Sequence, residues 1–508
     1  MIILCPSELQ AARQDKFQAQ AYYGAEAGIV KAVAEIENSA ASGNVVKDSP
    51  GSDTSTRAPF QVQNLWVKVT ITLVPDHGVS ALYRVVSGVY LSQADANADN
   101  TADLASAVLT LDAHLLQDSF SKFGYYSDNE NGLPWRTGYE IDGPAHTNDN
   151  FLVALTDTTT PIFMGPTVSR GIINDVNYSP LDSATLDNVT NQNPITKYSG
   201  FSEINLPSST GKLRDLVWNG SSPMPTVPGV YVQGGDLGNK GVFIQGNVDS
   251  MAFNGSGFTI IQGTTKYELY VPYNSNGKIS SSSCLATTNS SGRNMTNLPN
   301  LGKNLGQLVI YCNGDINNLS GTNYGQKVIV ANVEAGKKIT ISGDIWRADT
   351  PHVTQSNVND PQAKPTGCRD ALGLVAQDIV VKENTAYDAC FNNFGSAGGS
   401  PIYSHPMYNV DIYAVLMAGR KDSNGQAIGG FGAENAGTRA AAGYINIYGG
   451  LIQANRQAVG ASFNGFRRRV FYDPYAAQAL SMFYPPLSKF HVVGIQTTAN
   501  YSGGNVRY

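Results

Sequence analysis

The sequence predicts a mainly β protein in which an N-terminal α-helix and a small antiparallel β-region precede a large β-solenoid, a parallel β-helix-like domain. Three observations point there. Only 15% of the 508 residues are charged while Gly numbers 52 and Tyr 26, a balance typical of an all-β exported protein rather than a helical enzyme. Helical periodicity is confined to the first forty residues or so. From residue 138 onward short apolar runs recur, each closed by Gly, Asn or Asp.

Residues 1–39 form the helical segment. Between 7 and 38 there is no Pro, and Tyr22, Ala25, Ile29, Val33 and Ile36 recur at spacings of three and four, which puts them on one face beside Glu26. A Ser/Gly/Asp-rich linker follows, and residues 40–137 are expected to complete a compact α+β head. In it the alternating run 65–73 and the run 82–86 read as a hairpin across the turn Pro75 to Gly78, with another alternating strand near 107–111.

Residues 138–470 carry the solenoid pattern. Apolar runs at 241–248, 308–316, 327–331, 339–345, 374–381, 412–416 and 444–450 are short, and three of them share the order apolar strand, Gly-Asp or Gly-Asn, apolar residue. Val and Ile would stack inward between coils, and Gly and Asn would turn the corners where φ is positive. A β-sandwich is the competing architecture. The Ser/Thr/Asn-rich stretches 178–228 and 274–304 read as long surface loops, and 471–508 as a C-terminal extension packing on the body.

The formal net charge of −6 gives no overall field for a polyanion, so any contact with DNA has to be local. The one dense basic cluster is Arg467, Arg468 and Arg469, flanked by Phe466 and Phe471, with Lys337 and Lys338 as a lesser patch; arginine beside aromatics suits phosphate neutralisation with base stacking. Asp95, Asn97, Asp99 and Asp103 echo an oxygen-rich calcium loop, though without its Gly and its closing Glu, so calcium is the one cofactor the sequence admits; the alternative is a solvated acidic loop. Of the five cysteines, Cys284, Cys312, Cys368 and Cys390 would make two bridges in an oxidising compartment or stay as buried thiols, and with Cys5 they show no zinc spacing.

Catalytic signatures are sparse. His146, near Asp142, Asn148 and Asp149, is the best general-base candidate, but neither a Gly-x-Ser-x-Gly elbow nor a His-Glu-x-x-His accompanies it, and a structural corner explains it as well. No apolar run reaches eighteen residues, and residues 1–4 are too short for a signal or a membrane span.

The phrases Ser7-Glu-Leu-Gln-Ala-Ala-Arg13 and Gln20-Ala-Tyr-Tyr-Gly-Ala-Glu-Ala-Gly-Ile29 resemble the stretch just after the membrane-spanning part of the first helix in PilX-like minor pilins of bacterial type IV pilus systems. Phrases further on, among them Phe123-Gly-Tyr-Tyr-Ser-Asp-Asn-Glu130, Ile141-Asp-Gly-Pro-Ala-His-Thr-Asn148 and Tyr448-Gly-Gly-Leu-Ile-Gln453, resemble exported, pilin-associated β-helical proteins. The resemblance implies a pilin-like helix whose membrane-spanning part is missing from residues 1–39, and a non-catalytic subunit at the cell surface, outside the cell. Its helix would pack on other pilins through Tyr22, Ala25, Glu26, Ile29, Val33 and Ile36. Its body would serve adhesion to a host or abiotic surface, or DNA capture, from a tip position. Two rivals stand beside this reading: a solenoid enzyme acting on polysaccharide, which needs carboxylates and a cation converging on one face, and a carbohydrate-binding adhesin with no pilus.

Overall fold

The computed structural model describes residues 6–499 except 42–45, 47–53, 75–77, 137, 155–161, 165–166, 170–172, 176–202, 219–221, 233–240, 256, 277, 281, 299–300, 302–306, 349–369, 383–408, 439–440 and 461–464. It is mainly β, with an N-terminal helix ahead of strand-rich sheets. The chain divides into two units, residues 1–118 with 486–508, and residues 119–485.

In the first unit α1 (Pro6–Ala41) lies on an antiparallel sheet. Its strands are β1 (Thr54–Thr56), β2 (Phe60–Val62), β3 (Leu65–Val74), β4 (Leu82–Tyr90) and β5 (Leu109–Ser119), followed by the C-terminal strand Pro486–Ala499 as the neighbour of β5. The expected hairpin is β3 with β4, in register from Trp66 opposite Tyr90 to Val74 opposite Leu82. Alternation selects the core: Val67, Val69 and Ile71 of β3, Val85 and Val89 of β4, and Leu111, Ala113 and Leu115 of β5 are buried against the helix. The helix answers with Phe17, Ala21, Ala25, Ile29, Ala32 and Ile36, mostly one turn apart. Gly28 permits the close approach, since a Cβ there would stand 2.1 Å from Ser87 Oγ.

The domain limits differ from those expected. The division falls between 118 and 119 rather than 137 and 138. The extension 471–508 is split: Pro474–Leu480 is a short helix of the second unit, whereas 486–499 completes the head sheet. Edge pairing is a long-range event between residues nearly four hundred positions apart, and no local pattern announces it.

The second unit is built from three runs of parallel pairing. In the first, Val242–Gln245, Leu308–Cys312, Gln326–Ala331, Ala371–Ala376, Val415–Ala418, the 450–453 part of Ala441–Arg456, Tyr125–Asn129 and Ala145–Thr147 pair in succession. In the second, Ser250–Gly255, Ile316–Asn323, Lys338–Arg347, Asp378–Val381 and Gly430–Ala433 do so. The third joins Ile345, Val410–Ile412, the 445–447 part of Ala441–Arg456, the 468–470 part of Gly465–Tyr472, and Glu140–Asp142. Each run stacks an apolar column inside: Ile310, Ile329, Leu374, Leu416, Leu451 and Tyr125; then Ile316, Ile339, Ile379 and Phe431; then Ile345, Ile412, Ile447, Val470 and Ile141. Mostly aliphatic side chains stacked at the strand spacing keep each column out of water along its length.

The strands of the first run read as unbroken apolar segments because both their faces are covered, outward by the helices Gly211–Val217 and Pro474–Leu480 and by Tyr484. At the corners, Gly429 takes φ +82° where a Cβ would meet Gln377 O at 1.9 Å, and Asn318 takes φ +51° with its amide donating to Asp249 O. The earliest strands of this unit pair with the latest, Tyr125–Asn129 with the 450s and Glu140–Asp142 with Gly465–Tyr472. Thus Phe120 and Pro485, where the chain enters and leaves the unit, are joined by a backbone hydrogen bond of 3.0 Å.

Two stretches expected as loops carry structure. Ser283–Asn289 and Gly292–Leu298 form an antiparallel hairpin within 274–304, and Gly211–Val217 is helical within 178–228. Residues 178–202 and 219–221 of the latter stretch lie outside the described residues.

Candidate functional site

The helix face expected to meet other subunits is divided. Ala25, Ile29 and Ile36 are buried in the core of their own unit, and Val33 packs against it. Tyr22 and Glu26 face outward, joined by Tyr23 and Val30, which are 66% and 63% exposed. The heptad-like spacing was legible; which of two adjoining stripes the sheet would occupy was not, because Tyr and Val serve either role. Residues 10–16 of the helix are exposed, and the first side chain to reach the sheet is Phe17.

The arginine cluster does not form one basic surface. Strand periodicity turns successive side chains to opposite faces, so Arg467 is exposed, Arg468 points into the interior and Arg469 emerges beside Glu140 at 3.6 Å with its guanidinium 3.6 Å from the centre of the Tyr444 ring. Arg468 donates to the carbonyls of Phe431 and Gln457, and burial followed by repulsion from Arg456 lowers its pKa to about 10. Lys337 is half-buried and Lys338 exposed, at a position that pairs with Asp378 in a different run from the arginines. A three-cation phosphate site is therefore corrected to a single exposed arginine.

The acidic run likewise disperses. Asp95 and Asn97 lie in a helix, α2 (Gln93–Ala98), capped by Ser92, whose hydroxyl accepts from the Asp95 N–H and donates to its carboxylate. Asp99 is buried and accepts from Tyr90, Thr101 and Ser106; those hydrogen bonds hold its carboxyl well below the usual range in spite of burial. Asp103 pairs with Arg84 at 2.7 Å. The expected calcium loop is corrected to a capped helix and a buried staple, and among the described residues no group of three or more His, Cys, Asp or Glu converges as a metal site would.

Cys284 and Cys312 are both free thiols, on different strands; Cys5, Cys368 and Cys390 lie outside the described residues. Burial pushes the Cys312 thiol up to about 12, and it donates weakly to Gly246 O at 3.5 Å. His146 sits in a strand rather than at a corner, stacked on Tyr126 with an interplanar angle of 8° and bonded through Nε2 to Asn148. Burial lowers its pKa. Asn148 in turn bonds the backbone of Ile204 in both directions, so this cluster fastens the covering segment 203–206 to the body.

The richest chemistry lies on the outward side of the third run, where Asp344, Asp411, Asn446, Arg469 and Glu140 occupy successive rungs. Asp411 is buried, accepts from Asn446 at 2.8 Å, and its backbone N–H donates to Asp344. Burial, then the charge of Asp344, raises its pKa to about 7. Beside this row Trp346, Tyr413, Tyr448 and Phe471 stack ring on ring, with centroids 5.5, 4.3 and 5.1 Å apart. The faces of Tyr413 and Tyr448, in the middle of the row, are taken up by their neighbours. Asp411, Asn446 and Tyr413 are buried, whereas Asp344, Arg469 and Glu140 are half-buried.

Sequence reasoning missed the ionic interior altogether. Glu130, fully buried, accepts from Tyr125 Oη at 2.8 Å, Trp135 Nε1 at 3.1 Å and Arg456 Nη1 at 3.1 Å, and the Arg456 guanidinium lies 3.9 Å from the centre of the Trp135 ring. Lys327 is also fully buried, with Nζ donating to Tyr324 O at 2.8 Å amid the rings of Phe253, Phe258 and Tyr273, and burial lowers its pKa to about 7. For Lys327 the signal is its alternation with the inward Ile329 along Gln326–Ala331; Glu130, just past Tyr125–Asn129, carries none.

No family model and no curated protein matches this chain. Among solved structures, the competence-associated pilin ComZ from Thermus thermophilus aligns over 95% of this chain and 98% of its own, at 11% identity and a TM-score of 0.28. A likeness of that degree leaves function to be argued from the residues themselves.

Proposed function

We propose that this chain is a non-catalytic structural subunit of a type IV pilus-like system, in which a pilin-like head carries a β-solenoid body displayed outside the cell. The observation that supports it most directly is the head: a long helix, exposed over 10–16, packed from Phe17 onward on an antiparallel sheet that the C-terminal strand completes. That layout agrees with the resemblance carried by residues 7–29. The three parallel runs with their inward columns are what a solenoid requires. Contacts with neighbouring helices then belong to Tyr22, Tyr23, Glu26 and Val30 rather than to the buried stripe.

No reaction is assigned: among the described residues the carboxylates and the arginine of the third run bond one another, Asp411 with Asn446 and Asp344, and Arg469 with Glu140. The body would present surface loops to an adhesion target or a partner pilin. DNA capture through residues 467–469 has no support from a row in which the middle arginine faces inward.

The test is fractionation of the native bacterium with an antibody to the body. The chain is expected in the sheared surface fraction, and Tyr23→Asp with Val30→Asp is expected to remove it from there while the purified full chain keeps its circular dichroism. Recovery from the cytoplasm alone, or undiminished surface assembly of the double variant, would overturn the proposal.

A further inference from the structure

The head sheet has two unlike margins. On one side stands β1, three residues long, short in the way that protects natural edges. On the other stands the C-terminal strand Pro486–Ala499, fourteen residues long, with β5 as its neighbour. Gln117 Nε2 donates to Leu487 O and Thr110 Oγ1 to Thr498 O, so the strand runs antiparallel to β5. Its beginning is covered: Glu37 of α1 accepts from the Phe490 N–H and from Lys489 Nζ.

From His491 onward every residue of the strand is exposed, Val492, Val493 and Ile495 by 49%, 51% and 51%. Residues 491–497, His-Val-Val-Gly-Ile-Gln-Thr, contain no Asp, Glu, Lys, Arg or Pro. Past Lys489, and with His491 Nδ1 held 2.6 Å from Asp118 Oδ1, the described edge over 492–497 carries no Lys, Pro or acidic side chain of the kind that ordinarily blocks strand addition. It also offers no charge to attract a charged partner, so a strand of like composition suits it, and the strand itself is one.

We propose that this edge binds the same edge of a second copy of the chain, the two strands pairing antiparallel about a two-fold axis at Gly494. In antiparallel pairing about an axis normal to the sheet, opposed residues share a face and their numbers sum to an even value. Centring on Gly494 sets Val493 opposite Ile495, Val492 opposite Gln496 and His491 opposite Thr497. No like charges meet, the two exposed β-branched residues of one face cover each other, and the residue at the axis has no side chain to collide with its own copy. The pairing stops where Glu37 occupies the Phe490 N–H. This inference stands apart from the pilus reading and fails or survives independently of it.

Sedimentation equilibrium of the full chain over micromolar concentrations is the test. The native chain is expected to dimerise. Val493→Lys with Ile495→Lys sets like charges opposite each other twice and should weaken the dimer by about tenfold. Val493→Lys with Ile495→Glu imposes the same steric change but opposes unlike charges only in the proposed register, and should recover most of the affinity. A monomeric native chain, an undiminished dimer in the like-charge variant, or equal loss in both variants overturns the proposal.

Discussion

Replacing Glu130 by Gln removes the carboxylate that bonds the buried Arg456 guanidinium and also attracts that of Arg468. Glu130 is fully buried and holds three donors, while Arg456 and Arg468 are each at most 3% exposed. Removing one partner of a buried ion pair costs about 3–5 kcal/mol, because the remaining charge stays desolvated. Arg456 keeps its bond to Leu133 O at 2.7 Å, which puts the expected loss at the lower end, about 3 kcal/mol. That is roughly two decades in the unfolding equilibrium. Urea denaturation at neutral pH followed by tryptophan fluorescence reads it, since Trp135 lies against Arg456. Glu130→Gln with Arg456→Met should recover at least about 1 kcal/mol, as both members of the pair are then gone. A single-variant loss under about 1 kcal/mol, or a double variant no better than the sum of the singles, would refute the view that the interior charges depend on one another.

Other expectations concern pH, thiols and corners. Asp411 has a raised pKa of about 7, so the folded state binds more protons than the unfolded one between about 4 and 7 and its contribution falls as pH rises through that window; Asp411→Asn should flatten this part of the pH–stability curve. Lys327 is the converse: with its pKa lowered to about 7, the unfolded chain binds more protons from about 7 to 10.5, so stability should climb there by up to about 1.4 kcal/mol per pH unit, and Lys327→Met should abolish the slope and stabilise the protein at pH 7. An unchanged slope in calorimetric scans of either variant would contradict the assignment. Brief treatment of the folded chain with a thiol reagent at pH 8, followed by peptide mapping, should label half-exposed Cys284 and spare Cys312. Gly429→Ala should lower the unfolding free energy by more than about 1 kcal/mol in denaturant titration, since positive φ and the Gln377 carbonyl both oppose a side chain there; a neutral result would mean that the corner relaxes freely.

The amino-acid sequence alone determined the elements that local physics controls. A Pro-free run with apolar residues three and four apart made α1, strict alternation made the β3–β4 hairpin, and short Val/Ile runs closed by Gly and Asn made the parallel strands, because propensity and burial act there within a dozen residues. What required the tertiary structure was everything decided by partners distant in the chain. Whether Ala25 or Tyr23 faces the sheet depends on the side chains of Ser87 and Val67 coming close enough to meet Gly28. Arg468 reads as a surface cation until strand register turns it inward beside Phe431, and the Asp95–Asp103 run reads as a metal loop until Tyr90, Arg84 and Ser92 claim its carboxylates. The C-terminal strand reads as an appendix to the body, yet it closes the head sheet. An edge strand is recruited by unsatisfied backbone groups, and these carry no side-chain signature.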